Sequence, residues 1–385
     1  MKRLLSLSLL ALALSSTGCS TISGIGTDNN PKPTPLVQLT SEINPQQIWS
    51  QKTGKGSNDH YLRFSPSYTD GLIFTVDNTG KVTANQARNG QSVWTVDTKA
   101  TITSGPAAGQ GMVILGTQEG YIIALAAKNG QQVWKTLVPG QVIAPPTISE
   151  QVVYAKTIDG NLCALDIKTG QTIWAVAHTT PPLILRGSSA PQVVHDLVIV
   201  GFADGKLVAF EKATGKQRWE RAIAMPQGSS IIERMIDIDV DPIISNGIVY
   251  VASYQGNIAA VNAHNGELIW EHPMSSYAGL TLDNDAIYIS DADSNVLAVA
   301  RKDGQVLWKQ NKLYARRISG PVMMDNTIVV ADTEGYLHWL SPEDGHFLAR
   351  TQVDKKGIIA NPVVIDNQLY VTTVNGYLAT YSIRR

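Results

Sequence analysis

The sequence predicts an all-β fold, an eight-bladed β-propeller with four-stranded antiparallel blades whose last blade is closed by the N-terminal strand. Three observations predict it. A phrase ending in tryptophan recurs about every 40 residues. A proline precedes the copies at one fixed offset. Within each copy apolar residues alternate with period two between tight-turn pairs. Composition agrees: among 385 residues there are 32 glycines and 8 tryptophans, and only 16% are charged. Low charge with many glycines suits short strands and tight turns.

The repeats read in order. Gly120-Tyr-Ile-Ile-Ala-Leu with Asn129-Gly130-Gln-Gln-Val-Trp134 matches Gly160-Asn-Leu-Cys-Ala-Leu with Thr169-Gly170-Gln-Thr-Ile-Trp174. The same phrase returns with Gly80, Gly90 and Trp94, with Gly205, Gly215 and Trp219, and with Gly256, Gly266 and Trp270. A sixth copy uses Ser294, Gly304 and Trp308. The seventh uses Gly335 and Gly345 but has Ala349 in place of tryptophan, which predicts one less tightly packed blade. The eighth begins at Gly376 and ends before its tryptophan. Pro66, Pro106, Pro146, Pro191, Pro242, Pro321 and Pro362 each lie 14 residues before an anchor glycine. A proline at the start of an innermost strand is tolerated, because a first residue can lack its ladder hydrogen bond.

The seventh copy shows the blade. Pro321 to Met324, Thr327 to Ala331, Tyr336 to Leu340 and His346 to Arg350 are four strands, separated by Asp325-Asn326, Glu334-Gly335 and Asp344-Gly345. Tryptophan falls on the outermost strand, where its ring can pack on the neighbouring blade. The eighth copy supplies Pro362 to Ile365, Gln368 to Thr373 and Tyr377 to Ile383. Gln47-Ile48-Trp49 is the missing fourth strand, so the propeller spans 45–385 and both chain ends meet in one blade.

Residues 1–18 read as a signal peptide. Met1-Lys2-Arg3 is followed by an apolar run from Leu4 to Leu14 and by Ser15-Ser16-Thr17-Gly18-Cys19. Small residues before a cysteine resemble a bacterial lipobox, with Ser16 where leucine is commonest. The expectation is a lipid on Cys19 and, with Ser20 next, an outer-membrane anchor facing the periplasm. Residues 19–44, rich in Thr, Ser, Asn and Pro, read as a flexible tether. Cys163 then has no partner and reads as a buried small hydrophobe.

The links from tryptophan to the next proline mark a working surface. They run 12 residues after Trp94 and Trp134 and 13 after Trp308, but 17 after Trp174 and 23 after Trp219. Two consecutive oversized links lie side by side on one rim, where insertions commonly bind something. The first carries Leu183-Ile184-Leu185-Arg186-Gly187, unusually apolar for a connector. The second carries Ile231-Ile232-Glu233-Arg234-Met235-Ile236-Asp237-Ile238-Asp239-Val240-Asp241, whose alternation puts aspartates on one side and aliphatics on the other. Arg186 could pair with Asp237 or Asp239 and stiffen both links, or these side chains could meet a partner protein. The aspartates lack the glycine and distal glutamate of a calcium loop.

Other chemistry finds little support. With 31 basic and 32 acidic residues there is no surplus for nucleic acid. The seven histidines share no spacing and read as loop or strand-surface residues. There is no nucleophile elbow and no phosphate loop, so no catalytic, metal or cofactor residue is nominated.

The repeats, the lipobox and the two links together resemble the BamB family, the propeller lipoproteins of the β-barrel assembly machinery. The resemblance covers essentially the whole chain. Its specific parts are Leu183 to Pro191 and Glu233-Arg234 with Asp237-Ile238-Asp239. It implies a non-enzymatic, cofactor-free scaffold, a monomeric propeller within a hetero-complex at the outer membrane. It also implies that Leu183, Leu185, Arg186, Asp237 and Asp239 contact the POTRA domains of the barrel-forming subunit, and that unfolded outer-membrane proteins are assisted. Such substrates could pair with open blade edges. Two rivals remain. Quinoprotein dehydrogenases have similar repeats but typically carry adjacent cysteines, which this chain lacks. A polysaccharide-binding propeller would need an aromatic cluster on one face.

Overall fold

The computed structural model describes residues 31–57, 60–185, 187 and 189–384. The signal peptide, Cys19 and Arg186 lie outside them. Pro33–Arg385 form one compact unit. Of the preceding unit, Met1–Lys32, only Pro31 and Lys32 are described.

Eight four-stranded antiparallel sheets follow one another along the chain. Blades one to seven are consecutive, at 67–97, 102–137, 147–177, 192–222, 243–274, 279–310 and 322–352. The eighth combines 363–365, 368–372 and 377–384 with the N-terminal strand Asn44–Lys52. That strand is longer than the three residues expected, pairing from Asn44↔Arg384 to Lys52↔Tyr377. Antiparallel order fixes the rims. Links between blades share one rim with the turns between second and third strands. The remaining turns form the other rim.

The core lies between blades rather than within them. One cluster joins Ile114, Ile122 and Trp134 of blade two to Val153, Cys163 and Leu165 of blade three, and others repeat the pattern around the ring. A four-stranded sheet has two apolar faces and covers both only by stacking on its neighbours. Cys163 is buried there, and burial pushes its thiol up to about 11.

Glycine and tryptophan are two halves of one joint. The Trp94 indole donates to Ala127 O of the next blade at 2.8 Å, Trp134 to Ile167 O at 2.7 Å, and so on round to Trp308 and Pro342 O at 2.8 Å. The N-terminal strand takes part, with Trp49 donating to Ala87 O at 3.0 Å. Each ring lies over the turn glycine of the receiving blade. At Gly130, where φ is +72°, a Cβ would come within 2.7 Å of the Trp94 ring. The residue there must therefore accept a left-handed backbone and carry no side chain.

The seventh blade corrects the expectation of a lost tryptophan. In blades one to six an alanine of the third strand faces the outer-strand tryptophan, as in Ala84↔Trp94 and Ala298↔Trp308. In blade seven the pair is exchanged, Trp339↔Ala349. The tryptophan has moved across the sheet. It is fully buried and meets Tyr381 of blade eight edge-on at 6.2 Å. The receiving blade differs from the others: its outer strands, Tyr377–Arg384 and Asn44–Lys52, are not joined by a turn, so it has no turn glycine for an outer-strand tryptophan to cover.

The stretch 33–43, read from composition as part of a tether, is bonded to blade seven. Thr34 N donates to Tyr314 O (3.1 Å) and Glu42 N to Leu348 O (2.8 Å). Arg316 donates to Thr34 O (3.0 Å) and Arg350 to Val37 O (3.0 Å). Val37 and Leu39 pack on the core between blades six and seven, and Ile43 on that between seven and eight. Behind the two arginines lies a buried polar group. Arg316 bonds Asp332 (2.7 Å) and Glu334, and His338 bridges Asp332 (2.9 Å) and Arg350 (3.2 Å). His338 is fully buried, contrary to the surface reading of the histidines. Burial holds it below its ordinary pKa, against the pull of Asp332.

Candidate functional site

The two oversized links lie on the same rim and are bonded to each other. The first is held at both ends. His178 stacks on Phe202 at 4.1 Å and bonds Asp204 at 2.9 Å, while Ala190 N donates to Asp241 of the second link at 2.6 Å. Between these points Leu183 is 45% exposed and Leu185 is half-buried. A Cβ on Gly187 would run into the Asp239 carboxylate, so the links touch there without room for a side chain.

The second link divides into two parts. Residues 236–240 lie flat on the ring. Tyr254 N donates to Asp237 O (2.8 Å), and Ile236, Ile238 and Val240 are buried, Ile238 between blades four and five. The alternation read in the sequence is present, but both sides are covered. Asp237 is 2% and Asp239 5% exposed. They face Lys156, itself buried, whose ammonium donates to Gly201 O (2.6 Å) and Ser189 Oγ (3.4 Å) and lies 5.7 Å from the Phe202 ring centre. Burial holds the Lys156 pKa below its ordinary value, and the nearby Asp237, Asp239 and Asp241 oppose that shift. Residues 225–234 project instead. Met225, Ile231 and Ile232 are 69, 70 and 68% exposed.

Sequence reasoning missed Lys156 and Met225, and it placed Ile231 and Ile232 in the second link without nominating them as contacts. For Lys156 a signal existed. Four residues before the anchor glycine the repeats carry Val76, Gly116, Gly201, Ala252, Ser290, Ala331 and Thr372, and only blade three carries a long cation.

A cavity of about 880 Å³ opens on this rim, and every joint of the ring contributes to its wall. Leu185, Asp239 and Asp241 form part of that wall, with Arg63, Tyr277 and Arg317 elsewhere around it. Arg63 lies over the Tyr277 ring at 5.8 Å and donates to Tyr277 O at 2.7 Å. Among the described residues no group of three His, Cys, Asp or Glu is placed to hold a metal.

Burial pushes Asp237 up to about 8 and Asp239 up to about 6. Their mutual repulsion adds to the effect at Asp237, while Lys156 opposes it at both. A folded-state pKa raised above the unfolded value near 3.9 means that the native chain binds more protons between those values, so these groups erode stability as pH rises through that window. Asp237→Asn should therefore gain thermal stability relative to the wild type between pH 5 and pH 8. Matched melts at several pH values check this, and a difference constant with pH contradicts it.

Comparison with known proteins places the chain. The family model described as "Outer membrane protein assembly factor BamB" matches residues 78–310 and 292–385. A protein of that name from Legionella pneumophila (strain Paris) is 44% identical over 322 residues, 83% of this chain and 84% of the relative. The crystal structure of BamB from Moraxella catarrhalis superposes with a TM-score of 0.81 at 28% identity, covering 88% of this chain and all of that one. A europium-containing methanol dehydrogenase shares the propeller, with a TM-score of 0.73 over 88% of this chain and 93% of its own. At 14% identity that likeness concerns the fold alone.

Proposed function

The chain belongs to the BamB family of outer membrane protein assembly factors, periplasm-facing lipoprotein scaffolds of the outer membrane without enzymatic activity, and on that premise we propose that the rim of its two oversized links binds the POTRA domains of the barrel-forming subunit. The observation that carries this reading is the exposed aliphatic set on one rim, Leu183, Met225, Ile231 and Ile232, presented by two links that are bonded to each other. Apolar anchors with a polar surround are what a protein partner needs.

Leu183, Leu185 and Arg186, the residues of the first link carried over from the family resemblance, stand as contacts in this reading. Asp237 and Asp239 act differently. Their carboxylates are covered, and that of Asp239 packs against Gly187, so loss of Asp239 weakens binding by releasing Gly187.

Pull-down with purified POTRA domains tests this. Leu183→Asp, Arg186→Glu and the double variant Ile231→Asp/Ile232→Asp should each lose binding by about tenfold or more, as anchor residues do, with an unchanged β-sheet spectrum. Asp239→Arg should lose binding together with thermal stability. Folded variants of the first group that bind normally remove this rim from the interface.

A further inference from the structure

We propose that residues 33–43 are a clamp that decides which rim of the propeller faces the membrane. The inference rests on the lipid anchor at Cys19 and is independent of the POTRA reading.

The argument starts from where the chain would leave the ring without the clamp. The N-terminal strand enters its sheet at Asn44, opposite Arg384, and ends at Lys52, next to Thr53, whose N–H bonds Gly376 O at 2.9 Å. Gly376 lies in a turn between second and third strands, on the rim of the oversized links. Asn44 is therefore at the opposite rim. A tether attached there would pull that opposite rim toward the lipid.

The clamp reverses this. Glu42 bonds His346 in the last turn of blade seven, on the rim of Asn44. From there the chain passes Leu348 and Arg350, wraps the outer edge of blade seven and reaches Thr34. Thr34 is bonded to Tyr314 and Arg316, both in the link between blades six and seven, and so lies on the rim of the oversized links. Nine residues of docked chain, 34–42, carry the exit point from one rim to the other. The cores between blades six and seven and between seven and eight hold it there through Val37, Leu39 and Ile43.

Length strengthens the effect. From Cys19 to Pro33 the backbone spans at most about 50 Å, whereas a chain free as far as Asn44 spans about 85 Å. The clamp both shortens the leash and moves its point of attachment. The receiving surface is the lipid bilayer that holds the anchor, and the rim turned to it is the one with Leu183, Ile231 and Ile232.

Lipidated protein on vesicles with acceptor dye on the headgroups tests this, with a donor dye on Ser229→Cys in the second oversized link or on Lys216→Cys in the opposite turn of blade four. Cys163 is buried and stays unlabelled. Energy transfer should be greater from position 229 than from 216. Two variants release the clamp and leave the ring intact: Val37→Glu/Leu39→Glu, and replacement of residues 34–42 by nine Gly and Ser residues. In both, the order of transfer should be lost or reversed, with Tm and β-sheet spectrum showing a folded ring. Equal transfer from the two sites in the wild type, an unchanged order in the Gly/Ser variant, or failure of the wild type to float with the vesicles each overturns the proposal.

Discussion

Deleting residues 45–50 should unfold the ring rather than fray one edge. The segment supplies most of the eighth blade's outer strand, paired from Pro45↔Ile383 to Ser50↔Ala379. It also supplies Trp49, which bonds Ala87 O of blade one, covers Gly90 and meets Tyr370 edge-on at 6.1 Å. Losing a large, partly buried aromatic costs up to about 3–5 kcal/mol, and each ladder hydrogen bond left unmade adds about 1 kcal/mol. The sum approaches the roughly 5–15 kcal/mol that separates a native domain from its unfolded chain. Calorimetry should show no cooperative transition near the wild-type temperature, and Trp49→Ala alone should lower Tm with its fold retained. A deletion variant melting like the wild type would falsify closure by this strand.

How much of this was legible in the sequence depends on whether a residue's role repeats. Blade number, strand order and closure were readable because glycine, proline and tryptophan recur in register, and every copy tests the others. The exchange at Trp339 was readable in principle. Four residues after the anchor glycine six repeats carry alanine, and Trp339 stands in that column. It escapes a reading that follows the tryptophan column alone. His338, one residue earlier, is out of place in the same way, and with Asp332 and two arginines it backs the docked N-terminal segment. That segment itself was not readable. Its four aliphatics, Leu36, Val37, Leu39 and Ile43, are matched by two prolines and two threonines and as a set follow neither a strand nor a helix period. The oversized links were found by length, and their shared rim follows from topology. Whether Asp237 and Asp239 face outward was not readable. Alternation shows that a strand has two sides, and it does not show that another loop covers the second one. Here Gly187 and Lys156 provide that cover.

The joint between blades seven and eight allows a sharper test of what the tryptophans do. If they only fill volume between sheets, exchanging Trp339 and Ala349 should be nearly silent, since the pair lies directly opposite across one sheet. If each outer-strand tryptophan needs a turn on the next blade, the exchange should fail. Trp339→Ala alone leaves a cavity beside Tyr381 and Val371 and should cost about 3–5 kcal/mol. Adding Ala349→Trp should not recover it. Elsewhere the indole covers a turn glycine and donates to a carbonyl near that turn, as Trp308 does with Gly345 and Pro342 O, and blade eight has neither between its two chain ends. The new ring would also meet Ile43, which packs in this same core. Trp339→Phe, by contrast, should be mild. It keeps the aromatic contact with Tyr381 and removes an indole N–H that has no hydrogen-bond partner. Thermal unfolding of the three variants decides the matter: a double variant as stable as the wild type would mean that volume alone is at work, and that the missing turn is not why the tryptophan sits on the third strand.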